Sequence, residues 1–450
     1  MVLDLLYYIY RINLAPTCMI FLEMPPKIMY IFEVALTMKK EKKKSAWKTF
    51  RKYRFAYYFI LPTLIGMFIL HFLPIVQGIY MSFLRLNQFT IGEYLAAPFI
   101  FLENYHTILF KAQSPIRIGL LDAVRNTVIY TVFVTCGTLG LGMLVALMLN
   151  RRFRGRALAR TLFLFPWIVP TYVTGLLWGF MWQRGVGIIN IFLYDVLHIH
   201  IWAAKINPIW NGLGLGFIIQ KFNDFIGISA RGLNYISTSA PLIVNIFLFI
   251  FALVGPILLY FYLEKKYSPQ VGGIAFLVVA TYLFLISFNI QFPTQFSTEY
   301  KAFWLLGTNT IWAIIIPTIW RYWPLSMLML LAGLQTIPEE LYEAAAIDGA
   351  SPWRRFWMIT WPLLKPVWAI LILFGLIYNV YSFNIVIMMF GFGAGFPGEW
   401  GDLMMTNIFR NSFMQWNFGT GAAASVLLML VMIVIVNFWM RFYRSSEEYR

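Results

Sequence analysis

Residues 335–366 read QTIPEELYEAAAIDGASPWRRFWMITWPLLKP and separate two strongly apolar runs. Pro338 and the acidic pair that follows it favour the start of a helix, because proline is tolerated in a first turn and carboxylates are stabilised near the positive helix end. Alanine-rich sequence continues that helix as far as Gly349, which permits a sharp turn. Ser351 is placed to cap a second helix. The stretch therefore predicts two short helices joined at a glycine.

The composition predicts a membrane protein. The chain has 450 residues, of which 60% are hydrophobic and 12% charged, whereas a soluble domain carries roughly 25% charged residues. Many apolar blocks approach or exceed the roughly 20 residues that cross a bilayer. The net charge of +16 does not indicate nucleic acid, because the basic residues cluster at the ends of apolar blocks. Two cysteines in the whole chain argue against a disulfide framework or a Cys-based metal site.

The apolar blocks predict an all-α polytopic protein with about eight transmembrane helices. Six of them form a core at residues 55–83, 128–149, 161–182, 310–334, 367–390 and 422–440. Pro166 and Pro170 are expected to bend the third span. An insertion at residues 208–302 carries two further apolar runs, 241–263 and 272–292, which predict a transmembrane hairpin.

The domain organisation follows from these spans. The predicted segments are an N-terminal extension with a basic cytoplasmic stretch (1–54), a first membrane part (55–207), the insertion (208–302), a second membrane part (303–443, containing the loop 335–366) and a cytoplasmic tail (444–450). Residues 1–37 lack the pattern of a signal peptide, and a typical basic start begins at Met38. Either Met38 is the natural initiation site or residues 1–37 form a peripheral extension.

The distribution of positive charge predicts the topology. With both termini in the cytoplasm, the short cytoplasmic segments hold twenty-two lysines and arginines, and the longer external segments hold ten. Such a bias marks the cytoplasmic side of a membrane protein. The loop 335–366 is therefore expected on the cytoplasmic face.

The loop resembles the EAA loop of binding-protein-dependent ABC importer permeases. The resemblance rests on the spacing of Glu343-Ala344-Ala345, Gly349, Ile359 and Pro362, with Trp361 where the family usually has leucine. Three more passages, Phe101–Tyr105, Arg125–Thr127 and Asn150–Pro170, are similar to the sugar-permease, maltose-type branch of that family.

This resemblance implies both a role and partners. The loop would form cytoplasmic coupling helices that dock on ABC ATPase subunits through Glu343, Ala344, Ala345, Asp348, Gly349, Ile359 and Pro362. The other implied partners are a second homologous permease subunit, giving a heterodimer, an extracytoplasmic solute-binding protein and membrane lipid. The implied location is the prokaryotic inner membrane. No nucleic-acid partner is expected.

The chain is not expected to be an enzyme. It contains no G-x-x-x-x-G-K-[ST] sequence, so ATP and Mg²⁺ are expected in the partner ATPase and no cofactor in this chain. His198 and His200 lie close together without a neighbouring acid or cysteine, which is a poor metal site, and no metal is expected.

Polar and aromatic residues inside the span 367–390, together with one arginine inside an apolar run, predict a substrate path. Aromatic rings stack on sugar faces and amides bind hydroxyls; the alternative for the asparagines is hydrogen bonding between helices. Arg321 must face protein or a water-filled cavity, either in the path or bonded to a carbonyl freed by Pro324. The predicted path residues are Tyr378, Asn379, Ser382, Phe383, Asn384 and Arg321.

The resulting interpretation is a permease subunit of an ATP-driven importer that translocates a sugar or oligosaccharide. Two alternatives remain open: an importer permease for a non-sugar solute, and a secondary transporter. The second is disfavoured because the acidic residues between 310 and 390 all fall in the loop. An integral membrane enzyme would need a convergent polar constellation, and the sequence shows none.

Overall fold

The computed structural model describes residues 51–111, 114–117, 119–151, 153–239, 269–287, 292–391 and 396–448, with isolated positions between 255 and 266. Over these residues the chain is helical, and its β-type pairing is a single bridge between Leu84 and Phe99. The predicted extension 1–37, the basic stretch up to residue 50 and most of the run 241–263 lie outside the described residues. The all-α prediction is confirmed.

The chain divides into two compact units, Met1–Gly78 and Ile79–Arg450. The first unit contains most of helix α1 (Arg51–Met81), and no residue of its apolar window is buried. Such an apolar surface is expected of a helix that faces the hydrocarbon chains of a lipid bilayer. The other helices whose bounds lie among the described residues, all in the second unit, are α2 (Glu103–Phe110), α3 (Leu120–Asn150), α4 (Arg156–Ile168), α5 (Thr171–Met181), α6 (Ile199–Gly212), α7 (Leu215–Ser239), α8 (Pro269–Ser287), α9 (Thr310–Leu334), α10 (Glu339–Ile347), α11 (Pro352–Leu363), α12 (Lys365–Val380), α13 (Asn384–Met389), α14 (Met404–Phe409) and α15 (Phe418–Glu448). Shorter helical turns cover Ile91–Ala96, Ile188–Asn190, Ile191–Val196, Gly307–Asn309 and Arg410–Met414.

Four continuous helices among the described residues are long and apolar enough to cross a membrane: α1, α3, α9 and α15. Two bent pairs, α4 with α5 and α11 with α12, bring the number to as many as six. Five of the six predicted core spans lie on these helices, whereas the predicted span 367–390 is divided between α12 and α13 by a break at residues 381–383. The total of eight stays a prediction, because one arm of the predicted hairpin lies largely outside the described residues.

The second unit is built around the contact between α3 and α9. Two clusters of buried side chains line it, one around Tyr130 and Ile314 and the other around Met143 and Leu330. The backbones can approach closely because glycines face the partner helix: an added Cβ at Gly142 would lie 2.8 Å from the Met327 backbone nitrogen. Small residues at such contacts are typical of membrane helices, where association depends on packing.

Prolines break the two bent pairs at corresponding places. The α4–α5 pair bends by 86° after Pro166 and before α5, and the α11–α12 pair bends by 68° between Pro362 and Lys365. Both sites carry the pattern P-x-x-x-P, and proline both removes a backbone donor and clashes with the preceding turn. The predicted bend of the third span is confirmed, and the sharpness of the bend makes α4 and α11 lie across the direction of the spans that follow them.

The insertion begins with glycine-rich sequence at residues 211–216, yet helices lie on both sides of these glycines. Helix α6 continues through Pro208, and the polar stretch after it forms the amphipathic helix α7. Helix α8 covers most of the predicted run 272–292. The described part of the insertion is therefore largely helical up to residue 287.

An extended segment after α8 is held against α6 and α7 by side-chain amides. Asn207 exchanges two hydrogen bonds with the Phe296 backbone, both 2.9 Å long. Asn223 exchanges two with the Phe292 backbone, at 2.8 and 2.9 Å. These amides satisfy backbone groups that have no helical partner, so they fix the return of the chain toward α9.

Substitution of Gly142 tests the α3–α9 contact. We expect Gly142→Ala to lower stability by roughly 1–3 kcal/mol, because the new methyl group overlaps the α9 backbone. Gly140, in the same helix, has no atom within 4 Å of an added Cβ. Thermal unfolding in detergent should show a lowered midpoint for Gly142→Ala and an unchanged or raised midpoint for Gly140→Ala; equal midpoints would contradict the contact.

Candidate coupling and translocation sites

Helix α10 carries the Glu-Ala-Ala sequence on an exposed surface. It begins after Pro338 and ends at Ile347, and Gly349 follows with a φ of +75°. The Ala350 amide donates to the Ala345 carbonyl at 2.9 Å, which closes the turn, and a positive φ of this kind favours glycine. Four of the seven predicted coupling residues are exposed: Glu343, Ala344, Asp348 and Gly349.

The second half of the loop is partly buried. The Ser351 hydroxyl accepts a hydrogen bond from the Arg354 amide at 3.3 Å, so the predicted cap is confirmed. Ala345, Ile359 and Pro362 are half-buried. The seven predicted coupling residues therefore divide into an exposed set on α10 and its turn and a half-buried set of three.

A hydrogen bond joins the two halves of the loop. The Tyr342 and Thr360 hydroxyl oxygens lie 2.9 Å apart, and Thr360 is buried. This link ties α10 to α11 and hence to the bend before α12. This bond could not be predicted from the sequence, because a tyrosine next to the Glu-Ala-Ala motif is typical of an ordinary helix surface.

Trp361, which departs from the usual leucine, belongs to a row of rings along α11. It stacks on Trp368 with ring centroids 5.6 Å apart and an interplanar angle of 21°. It also lies 5.4 Å from the ring of Trp357. Its side chain therefore packs across the bend between α11 and α12.

The predicted path residues differ in their surroundings, because α12 ends at Val380 and some of them lie in the helix whereas others follow it. Tyr378 and Asn384 are exposed, and Tyr378 has 71% of its surface accessible. Asn379 is buried and donates a hydrogen bond to the Thr135 hydroxyl of α3 at 3.0 Å. For this asparagine the structure has the interhelical bond that was the alternative to a substrate contact.

Ser382 and Phe383 lie in the break between α12 and α13. The Ser382 hydroxyl oxygen is 2.8 Å from that of Tyr130, which in turn donates to Thr318 at 3.0 Å. Phe383 packs on Phe409 with ring centroids 4.8 Å apart. Both side chains are half-buried, so the hydroxyl chain anchors the break to α3 and α9.

Arg321 is buried in the middle of α9 with 9% of its surface accessible. Its Nη1 donates to the Trp167 carbonyl at 3.3 Å, at the end of α4, where the last carbonyls of a helix need partners outside it. Of the two alternatives for Arg321, the structure has a bond to a backbone carbonyl, but that carbonyl belongs to Trp167 in α4 and is not one freed by Pro324. The Arg321 Nε is buried without a hydrogen-bond partner among the described residues.

A polar network on the opposite side from the coupling loop was not predicted as a site. Asn126 donates to the Glu399 and Asp402 carbonyls at 2.7 and 2.9 Å. The Met404 amide donates to the Thr127 hydroxyl at 2.9 Å. The Arg125–Thr127 passage, noted for its resemblance to the permease family, thus holds the loop that precedes α14.

Asp402 supplies a buried carboxylate to this network, and it lies outside the membrane-spanning helices. Its carboxylate accepts hydrogen bonds from Thr406 at 2.6 Å, Asn407 at 3.2 Å and Arg410 at 2.9 Å. Burial raises the pKa of the Asp402 carboxyl to about 6 despite the opposing effect of Arg410. The folded protein therefore binds a proton at this carboxyl more readily than the unfolded chain.

The raised pKa of Asp402 predicts a pH-dependent stability difference. Its stabilising effect is fully present below pH 3.8 and is lost as the pH rises through about 6. Relative to wild type, Asp402→Asn should gain roughly 2 kcal/mol in stability between about pH 4.5 and 7.5, because asparagine does not titrate. Unfolding midpoints measured across that range check this.

The control for Asp402 is Glu399→Gln, which removes an exposed carboxylate from the same loop. Its midpoint should follow the wild-type pH profile. A constant difference between Asp402→Asn and wild type at all pH values would show that the buried carboxyl does not titrate in this range.

The histidines make no metal site in the described part of the chain. The His198 Nδ1 lies 3.1 Å from the Tyr194 carbonyl oxygen, and the His200 ring contacts Tyr300. The described residues contain no group of three or more His, Cys, Asp or Glu side chains that could hold a metal ion.

Comparison with known proteins identifies the family. Residues 212–446 match the sequence profile of the binding-protein-dependent transport system inner membrane component, and this match covers both halves of the coupling loop. The chain belongs to this family of ABC importer permeases.

Individual relatives agree with the family match over most of the permease. The sn-glycerol-3-phosphate transport system permease protein UgpA of Brucella suis is 24% identical over 394 residues, covering 87% of this chain and 96% of the relative. The inner membrane ABC transporter permease protein YcjO of Escherichia coli is 24% identical over 383 residues, covering 85% and 92%.

A solved structure confirms the fold. A chain of a bacterial ABC transporter involved in the import of the acidic polysaccharide alginate matches with a TM-score of 0.55 and 17% identity, covering 89% of the permease and 99% of that chain. The likeness extends into the insertion, since the chain without residues 208–302 could not reach this coverage.

Proposed function

We propose that the permease translocates a sugar or oligosaccharide that an extracytoplasmic binding protein delivers. Separate ATPase subunits, which bind ATP and Mg²⁺, would supply the energy for this transport. The observation that carries this proposal is the exposure of α10, which presents Glu343 and Ala344 outside the helix bundle. Ile347, with 87% of its surface accessible, adds an apolar contact that a partner would cover. The pairing with a second, non-identical permease belongs to the same proposal.

The geometry supports transmission from the loop to the path. A force on α10 passes through the Tyr342–Thr360 hydrogen bond to α11. From there it crosses the 68° bend into α12, which is bonded to α3 by Asn379. Closure of the ATPase subunits would therefore move α12 relative to the α3–α9 contact and change access to the path.

The path itself is proposed to run along the exposed side of α12 and the break after it. Tyr378 and Asn384 offer a ring face and an amide, which suit the apolar face and the hydroxyls of a sugar. Ser382 and Phe383 shape the break, while Asn379 and Arg321 support the path from inside the bundle. The relatives named for glycerol phosphate and alginate transport support a polyol or saccharide cargo.

The orientation is proposed from charge. The turn between α3 and α4 and the coupling loop both carry arginines, and the positive-inside rule places both on the cytoplasmic side. Both termini then lie in the cytoplasm. A non-sugar solute is the alternative cargo, since the loop and the fold do not depend on the cargo.

Glu343→Ala tests the docking of the ATPase. Loss of a charge-assisted hydrogen bond should weaken association roughly 10- to 100-fold, measured as the amount of ATPase that copurifies with the tagged permease. Glu340→Ala is the matched control, since it removes an exposed carboxylate one turn earlier in α10. Equal loss in both variants, or in neither, would contradict the assignment.

Asn384→Ala tests the cargo path. Loss of one hydrogen bond to a hydroxyl should raise the half-saturating solute concentration about fivefold, with ATPase copurification unchanged. Uptake of radiolabelled oligosaccharides and of sn-glycerol-3-phosphate into ATP-loaded proteoliposomes checks this. Asn437→Ala, an exposed asparagine in α15, should leave uptake unchanged, and a normal half-saturation in Asn384→Ala would exclude this side chain from the path.

A further inference from the structure

A basic cleft lies beside the coupling loop, apart from its exposed docking surface. It has a volume of about 1080 Å³ and opens between the turn that joins α3 to α4 and the helices α10 and α11. Arg151 and Arg156 line it from the turn, and Arg355 lines it from α11, whereas Glu339 is the one acidic residue in its lining. Three guanidinium groups against one carboxylate leave the cleft with a positive charge that favours an anion.

Two of these arginines have unused hydrogen-bond donors. The Nε atoms of Arg156 and Arg355 are buried and have no hydrogen-bond partner among the described residues. A buried donor without an acceptor is unfavourable, and an anion in the cleft would supply acceptors to both. The fork of a guanidinium group matches the oxygens of a phosphate group.

The helices that border the cleft have the features of a membrane surface. Helix α4 bends by 86° from the spanning helix α5, and it leaves Leu158 and Leu162 largely exposed. On the other side, Trp353 and Trp357 of α11 are exposed, and tryptophan is enriched where a membrane meets water. Exposed apolar side chains of α4 and α11 therefore flank the cleft, which is the arrangement that a site at the depth of lipid headgroups would require.

We propose that this cleft binds the phosphate group of an anionic phospholipid from the leaflet on the side of the coupling loop. Arg156 and Arg355 hold the phosphate, and Glu339 accepts from the hydroxyls of a glycerol headgroup. Basic pockets between membrane helices on this side are suited to anionic headgroups. A bound lipid would join α4 to α11, so the lipid composition would influence how firmly the coupling loop is held.

The experiment measures lipid binding to the purified transporter by native mass spectrometry. The probes are dihexanoyl phosphatidylglycerol, dihexanoyl phosphatidylcholine as the zwitterionic headgroup, and inorganic phosphate as a competitor. The variant Arg156→Gln with Arg355→Gln removes both proposed ligands. The matched control, Arg154→Gln with Arg354→Gln, removes the same charge from exposed neighbours that do not line the cleft.

The expected result is that wild type and control bind phosphatidylglycerol equally and in preference to phosphatidylcholine. The cleft variant should bind it roughly 30-fold more weakly, about fivefold for each arginine removed. Unfolding midpoints without lipid identify loss of folding, and Arg156→Lys with Arg355→Lys, which keeps the charge but lacks the guanidinium fork and the Nε donors, should recover only part of the binding. Equal weakening in cleft and control variants would show general charge attraction and overturn the proposal. Displacement of the lipid by inorganic phosphate at millimolar concentration would instead assign the site to a free anion.

Discussion

The close contact between α3 and α9 is the constraint on which the rest of the permease depends. Glycine at position 142 lets the two backbones meet, and two buried clusters line the contact along its length. Near one end, the Tyr130 hydroxyl joins Thr318 of α9 to Ser382 in the break after α12. Near the other, Leu334 leads directly into the coupling loop. The same pair of helices thus supports both the proposed path and the proposed lever.

Prolines break two of the helices of this bundle and so produce the bends that follow α4 and α11. The hydrocarbon core requires backbone groups to be satisfied, so a helix break must find partners, and here the Trp167 carbonyl meets the buried Arg321. The two P-x-x-x-P breaks turn α4 and α11 across the direction of the spans. In the proposed coupling, a partner that pulls on α10 would move α12 through the bend between α11 and α12.

The coupling loop could be predicted from its sequence because its shape is decided locally. Pro338, Ser351 and Gly349 each specify a helix start or a turn by their own chemistry, and the structure has the predicted cap and the predicted positive φ. The bend at Pro166 and Pro170 could be predicted from the sequence for the same reason. These features need no knowledge of what lies across the bundle.

Features that depend on distant segments could not be read from the sequence. Tyr378 and Asn379 are neighbours, yet one is exposed and the other bonds to Thr135, a choice set by the position of α3. Likewise Asn126 binds a loop 276 residues further along the chain. The helical content of α7 was missed because glycine-rich polar sequence is typical of loops, whereas packing in the insertion decides otherwise.

Helix α10 is the proposed surface on which an ATPase acts. A photo-crosslinking phenylalanine analogue at Ala344, an exposed position of α10, tests it in intact cells. Identification of the crosslinked protein by mass spectrometry should give a P-loop ATPase, with no such product from the same analogue at the exposed Leu176 of α5. An Ala344 product containing no ATPase, in cells that transport normally, would contradict the account.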